Sequence, residues 1–149
     1  MADIVNEILD IENHGRGRAG RRAVVRGRRA LPDGAQPQAI VSALAKLKRG
    51  ALLSANSTRV LLSLMNEAKT GKQRIAGGVP EGWRYGHKTG TGQDFAGTST
   101  GYNDVGIMTA PDGTSYAVAV MIARTRQPVP VRQQMMQAIS RTIAAQHRK

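Results

Sequence analysis

Apolar residues recur at helical spacing in three parts of the chain after residue 37. The spacing from Gln38 to Arg49 predicts a helix, with Gly50 as its C-terminal stop. A second helix is predicted from about Ala55 to Lys69, with Ser54 as N-cap. A third is predicted after Pro128 and Pro130. The apolar stripes of the three helices are Ile40, Leu44 and Leu47; Val60, Leu61, Leu64, Met65 and Ala68; and Met135, Met136, Ile139 and Ile143.

Between the second and third helices the pattern changes to one typical of strands. Trp83 to Gly90 predicts one strand, and 92–101 is a loop of small residues. Asp104 to Ala110 and Ser115 to Ala123 predict two more strands, joined by the hairpin sequence Pro-Asp-Gly-Thr. The predicted fold class is therefore α/β of the α+β type, with an antiparallel sheet of three strands and flanking helices.

The first 36 residues differ in character from the rest. Ile4, Ile8 and Ile11 lie at helical spacing, which predicts a short amphipathic helix within residues 1–13. From His14 to about Pro37 the chain is rich in Arg, Gly and Ala, and this composition predicts disorder. We therefore expect residues 1–36 to be an unassigned, Arg-rich segment and 37–149 to be one domain.

Charge and composition exclude several kinds of protein. Seven of the arginines lie between Arg16 and Arg29 and supply more than half of the net charge of +12. The charge is thus a property of that segment, and without interleaved aromatic residues or a recognition helix it does not predict specific binding to nucleic acid. The chain has no cysteine, so disulfides and thiolate metal sites are excluded. No metal ion or other cofactor is expected, and neither a signal peptide nor a membrane span is recognisable.

The sequence most informative about chemistry is Gly-Trp-Arg-Tyr-Gly-His-Lys-Thr-Gly-Thr-Gly at residues 82–92. A phosphate-binding loop would need a glycine before Lys88 and a helix after Thr89, but His87 precedes the lysine and a Gly/Thr/Ser loop follows. The alternative is a Lys-Thr-Gly triplet, which occurs in serine hydrolases that act on penicillins. A solvated hairpin corner could contain the same three residues. The flanking sequence therefore has to distinguish such a corner from the Lys-Thr-Gly motif of the serine hydrolases.

That flanking sequence consists of Arg-Ile at 74–75, Val-Pro-Glu-Gly-Trp at 79–83, Asn-Asp at 103–104 and a strand–turn–strand hairpin before a terminal helix. In order and spacing it resembles the C-terminal part of the class A β-lactamases, from about Pro37 to His147. The resemblance implies an incomplete β-lactamase/transpeptidase-like fold, β-lactam amide hydrolysis and antibiotic resistance as the family activity, and a periplasmic or secreted location. D-alanyl-D-alanine peptidases share the Lys-Thr-Gly triplet; the Gly-Thr-Gly continuation favours the lactamase branch.

The resemblance also implies roles for single residues. Lys88 would supply positive charge for the substrate carboxylate, Thr89 would offer it a hydroxyl, and Gly90 would leave room for the substrate. The backbone N–H of Thr91 would be an oxyanion-hole donor. Arg132 is a further candidate to assist Lys88. His87 would point to the opposite face of the strand and pack there, while Trp83 anchors the strand start and Asn103 and Asp104 shape the next strand.

The family mechanism needs residues that this sequence lacks. None of its serines has a lysine three positions later, and no Ser-Asp-Asn occurs. We therefore expect binding without turnover by this chain alone, and a non-catalytic module that holds β-lactam or cell-wall peptide is the main alternative. The strand at Ser115 to Ala123 is expected to keep an unpaired edge, which would favour self-association. The abrupt Arg-rich composition also suggests a shifted reading frame upstream of the domain.

Overall fold

The computed structural model describes residues 3–10 and 36–147. Within them the chain forms, in order, β1 (Asp3–Asp10), α1 (Pro37–Lys48), α2 (Ala55–Asn66), a 3₁₀ turn (Ile75–Gly78), β2 (Arg84–Thr91), β3 (Asp94–Phe95), β4 (Thr98–Ser99), β5 (Tyr102–Thr109), β6 (Ser115–Arg124) and α3 (Val129–His147). The predicted helices and strands after residue 37 are confirmed, with shifts of a few residues at their ends. Ser54 caps α2 by accepting from Ser57 N–H at 3.2 Å, and Gly50 follows α1 with φ +70°.

The main sheet has four antiparallel strands in the order β1-β6-β5-β2. The three predicted strands are β2, β5 and β6. Among the described residues β2 pairs with β5 alone, from Arg84 opposite Thr109 to Thr91 opposite Tyr102, and therefore forms one edge of the sheet. The short strands β3 and β4 make a separate ribbon inside the predicted small-residue loop.

The N-terminal segment corrects two expectations. Residues 3–10 form a strand and not a helix, because the backbone of β1 pairs along β6 from Asp3 opposite Arg124 to Asp10 opposite Tyr116. The same pairing occupies the edge of β6 that was expected to stay open. Tertiary pairing here overrides a weak helical periodicity of three isoleucines. The Arg-rich segment that was expected to be disordered lies, for residues 11–35, outside the described residues.

Side chains alternate between the two faces of the sheet and build two apolar clusters. On one face Ile107, Ala117 and Ala119 pack with α1 and with Met65 of α2. On the other face Met108 and Val118 pack against the 3₁₀ turn and α3, where the buried residues are Ile75, Met136, Ile143 and Ala144. The strands thus lie between a layer formed by α1 and α2 and a layer formed by α3, and this arrangement fixes the position of β2.

Helix α2 departs from the predicted stripe. Met65 is buried, but Val60, Leu61 and Leu64 are 48%, 37% and 61% exposed, and Leu52 and Leu53 just before the helix are also exposed. The helix is therefore apolar on its inner side and on part of its outer side. A helix of this kind is usually covered on both sides. In the described part of the chain, no helix is both long and apolar enough to cross a membrane.

Candidate active site

The Lys-Thr-Gly triplet lies on the open edge strand β2. Lys88 and Gly90 are exposed and Thr89 is half-buried, all within the second half of β2. Alternation along the strand places Lys88 and Gly90 on the face of α1 and α2, and Thr89 and Thr91 on the face of the 3₁₀ turn. The ammonium of Lys88 donates a hydrogen bond to the carbonyl of Thr89. The triplet therefore presents groups on both sides of an accessible edge.

The backbone of β2 directs the amide of Thr91 to the open side. Just beyond the strand, Gly92 N–H donates to Gly101 O at 2.8 Å, so residue 92 faces toward β5. In an antiparallel ladder successive residues alternate between facing the partner strand and facing away from it. The N–H groups of Thr89 and Thr91 consequently face away from β5. An amide N–H in this position is fixed by the sheet and available to an acceptor outside it.

The hydroxyl of Thr89 is held by a second threonine. Thr70 Oγ1 lies 3.0 Å from Thr89 Oγ1, and either hydroxyl can be the donor. Thr70 belongs to the connection between α2 and the 3₁₀ turn. A methyl group on the neighbouring Gly71 would lie only 2.4 Å from Thr89 Cγ2, so a glycine is required for this close approach. When Thr70 donates, the proton of Thr89 is free to point to a ligand.

Arg74 supplies a second cation beside the triplet, and no role at the site was predicted for it from the sequence. Its Nη1 donates to the carbonyls of Gly90 at 3.0 Å and Asn103 at 2.6 Å, and its Nη2 donates to Thr91 Oγ1 at 2.5 Å. The guanidinium also lies 3.8 Å from the centre of the Tyr102 ring and is 8% exposed. Its planar fork ties the end of β2 to β5, which a lysine could not do.

Beneath the strand, on the face of the 3₁₀ turn, lies a buried carboxylate. Asp104 is 0% exposed and accepts from Ile75 N–H at 3.2 Å and from the Tyr85 hydroxyl at 3.3 Å. His87 Nδ1 is 2.7 Å from the same oxygen as the Tyr85 hydroxyl. His87 is therefore packed on the face opposite Lys88, as predicted. The prediction that Asp104 shapes its strand is also consistent with a side chain directed into the fold.

The environment of Asp104 changes the acidity of its tyrosine neighbour. Burial, and then the negative charge of Asp104 and its hydrogen bond, raise the pKa of the Tyr85 phenol well above its ordinary value of 10.0. The neutral phenol is thus favoured because the phenolate would be desolvated next to a carboxylate.

Arg132 and Trp83 make contacts of their own, with residues other than the triplet. Arg132 at the start of α3 is 7% exposed and donates from Nε to Gln127 O at 2.7 Å, with its guanidinium carbon 5.5 Å from the centre of the Tyr102 ring. Trp83 stacks with Tyr116 at 6.1 Å between ring centres and meets the edge of His147 at 5.1 Å. The role of Arg132 as a partner of Lys88 stays a prediction. Among the residues that the structure describes, no cluster of three or more His, Asp or Glu could hold a metal ion.

The chain is similar to known proteins in sequence and in fold. The chain is 39% identical over 79 residues to the extended-spectrum β-lactamase PER-1 of Pseudomonas aeruginosa, a match covering 53% of this chain and 26% of PER-1. A solved β-lactamase from Chitinophaga pinensis superposes with a TM-score of 0.71 at 33% identity, and the TLA-3 extended-spectrum β-lactamase with 0.74 at 32%. These matches cover 74% and 77% of this chain but 42% of each solved chain.

The family model described as "Beta-lactamase enzyme family" matches residues 10–147, which include every element from α1 to α3. Solved relatives include a representative of class A β-lactamase from Bacteroides cellulosilyticus at 25% identity, with a TM-score of 0.69. The chain therefore belongs to the β-lactamase enzyme family.

Proposed function

We propose that this chain forms the carboxylate- and acyl-binding wall of a serine β-lactamase-type active site. The observation that carries the proposal is the open edge of β2, where the outward amide of Thr91 lies close in sequence to the exposed Lys88 and to Gly90. A β-lactam has a carboxylate and an amide carbonyl at fixed separation. Lys88 and the Thr89 hydroxyl would bind the carboxylate, and the Thr91 amide would donate to the carbonyl.

Arg74 adds positive charge to the same wall. Its guanidinium already contacts Gly90 and Thr91, so it would attract a carboxylate without first having to be ordered. Burial of most of its surface strengthens this attraction relative to a solvated cation. We infer that Arg74 is a stronger candidate than Arg132 for the second cation of the site.

This chain alone is not expected to hydrolyse a β-lactam. No serine in the sequence has a lysine three residues later, so the nucleophile that the reaction needs would have to come from another polypeptide segment. The wall would then hold a β-lactam reversibly. The family implies action in the periplasm or as a secreted protein. Self-association was expected through the open edge of β6, which β1 occupies, and the exposed apolar residues of α2 now offer the better surface.

The test is a binding titration followed by amide NMR. Benzylpenicillin is compared with its methyl ester, which lacks the negative charge. We expect shifts at Lys88 to Thr91, about tenfold weaker binding of the ester, and no gain in protein mass. Lys88→Gln should remove most of the preference for the acid. Lys72→Gln, at another exposed lysine, is the matched control and should retain it.

The other readings give different results. A covalent adduct on the intact chain would contradict the proposal in favour of an acylating enzyme. Preferential binding of an acyl-D-alanyl-D-alanine peptide would favour a peptidase-related fragment. Shifts confined to residues outside β2 and its neighbours would contradict the proposed wall altogether.

A further inference from the structure

Asp104 contacts the chain neighbours of both cations of the proposed wall. Its Oδ2 accepts from the amide of Ile75, the residue after Arg74, at 3.2 Å. Its Oδ1 lies 2.7 Å from Nδ1 of His87, the residue before Lys88. The two cations themselves lie on different segments, one in the connection before the 3₁₀ turn and one on β2. Asp104 thus contacts both segments from the buried side, in addition to the bond between Thr70 and Thr89 and the bonds of Arg74 itself to β2.

A carboxylate that is 0% exposed restricts its partners strongly. Leaving such a group without donors costs far more free energy than a surface hydrogen bond returns, so the donors are held in place. The Ile75 amide fixes the peptide plane between residues 74 and 75. The His87 ring fixes the backbone of β2 one residue before Lys88.

We propose that Asp104 is a positioning residue of the anion-binding wall: its carboxylate sets the relative placement of Arg74 and Lys88 through Ile75 and His87. The inference rests on the proposed function, because it concerns how that wall binds a carboxylate. Asp104 itself does not touch the ligand. It acts by holding in place the two segments of the chain that carry the cations.

The chain offers a matched pair of variants at His87. In His87→Asn the side-chain amide nitrogen is bonded to Cγ, as Nδ1 is in histidine, so a donor to Asp104 is retained. His87→Leu fills the buried site but offers no donor. Asp104→Asn is a second test, because asparagine has one acceptor oxygen where aspartate has two. This variant replaces His87→Leu in the comparison if the leucine variant does not fold.

The measured quantity is the ratio of the affinities for benzylpenicillin and for its methyl ester, taken by NMR titration at one pH. We expect His87→Leu and Asp104→Asn to reduce the ratio about tenfold and His87→Asn to leave it within about twofold of wild type. Histidine nitrogen spectra of the wild type should show a protonated Nδ1 on His87. The thermal midpoint of each variant is measured in parallel.

Each outcome decides between the two proposals. If the wild type shows no preference for the acid, the proposed function and this inference both fail. If the wild type prefers the acid and His87→Leu keeps the same ratio, the positioning role is refuted while the proposed function stands. A loss of affinity that is equal for acid and ester would mean that the buried group supports only the fold, and would also overturn the inference.

Discussion

Gly90→Ala separates the binding role of the edge strand from its role in folding. In the structure a methyl group at this position would lie 3.7 Å from Asn103 Cβ and 3.8 Å from Asn103 Nδ2, both ordinary contacts. Gly90 is not among the glycines with positive φ. The fold itself therefore does not require a glycine here, and on the proposed function the requirement comes from the ligand.

The expected effects on stability and on binding have opposite signs. Replacing a glycine by alanine at a compatible position stabilises the folded state by about 0.4–1 kcal/mol, through the smaller entropy of the unfolded chain. We therefore expect an unchanged or slightly higher thermal midpoint. A ligand lying against the strand would meet the new methyl group, and we expect its affinity to fall by about tenfold or more.

The assay combines calorimetry with the benzylpenicillin titration, and Gly106→Ala on β5 is the contrasting variant. At residue 106 a methyl would lie 2.4 Å from the carbonyl oxygen of Gly86 and 2.7 Å from His87 Cβ, so it must displace the sheet. We expect Gly106→Ala to be clearly destabilised. Wild-type affinity in Gly90→Ala would refute the idea that a ligand lies along β2. A large loss of stability in Gly90→Ala would refute the conclusion that the fold accommodates a methyl group at residue 90.

Three further substitutions test other parts of the structure. In Arg74→Lys the side chain cannot donate to Gly90, Asn103 and Thr91 together. The free energy of unfolding in urea titrations should therefore fall by about 2 kcal/mol. A loss smaller than about 0.5 kcal/mol would mean that the guanidinium of Arg74 contributes little to stability. The pKa of Tyr85 is higher in the folded chain than in the unfolded chain. Above about pH 10 the unfolded chain therefore loses the phenol proton while the folded chain keeps it. The free energy of unfolding should fall in that range by up to about 1.4 kcal/mol per pH unit. Tyr85→Phe should remove that contribution, and equal alkaline slopes for the two proteins would contradict it. Leu64→Gln should reduce self-association measured by light scattering at high protein concentration, whereas an unchanged mass distribution would place any contact elsewhere.

The periodic parts of the chain were predictable because their own side chains decide their structure. α1, α2 and α3 carry stripes at helical spacing, and β5 and β6 are joined by a turn sequence that favours a hairpin. The N-terminal strand was not predictable in the same way, since its pairing with β6 depends on a partner more than 100 residues away. The outer apolar side of α2 shows the same limit: its leucines fit a core stripe, but the helix turns them away from the sheet.

For the site, the motif identified the strand but not its supports. Lys88, Thr89, Gly90 and Thr91 are adjacent in sequence, so one short pattern found them together. Arg74 lies in a turn-rich segment without periodicity, and its only signal was the Arg-Ile pair in the family pattern. The contacts of Asp104 follow from the register of β2 against β5, which no local pattern specifies.

The contacts that shape the wall are nevertheless local in the chain. The hydroxyl pair of Thr70 and Thr89, the three donations from Arg74 and the three contacts of Asp104 all join residues between 70 and 104. All of these partners are residues of this chain and lie within the range 10–147 that the family model matches. A site held by its own neighbours is preorganised, and preorganised donors lose little entropy when a ligand binds. On the proposed function, binding of the acyl group and attack upon it are separable: the intact chain should bind without attack, because attack requires a serine with a lysine three residues later and the sequence has none.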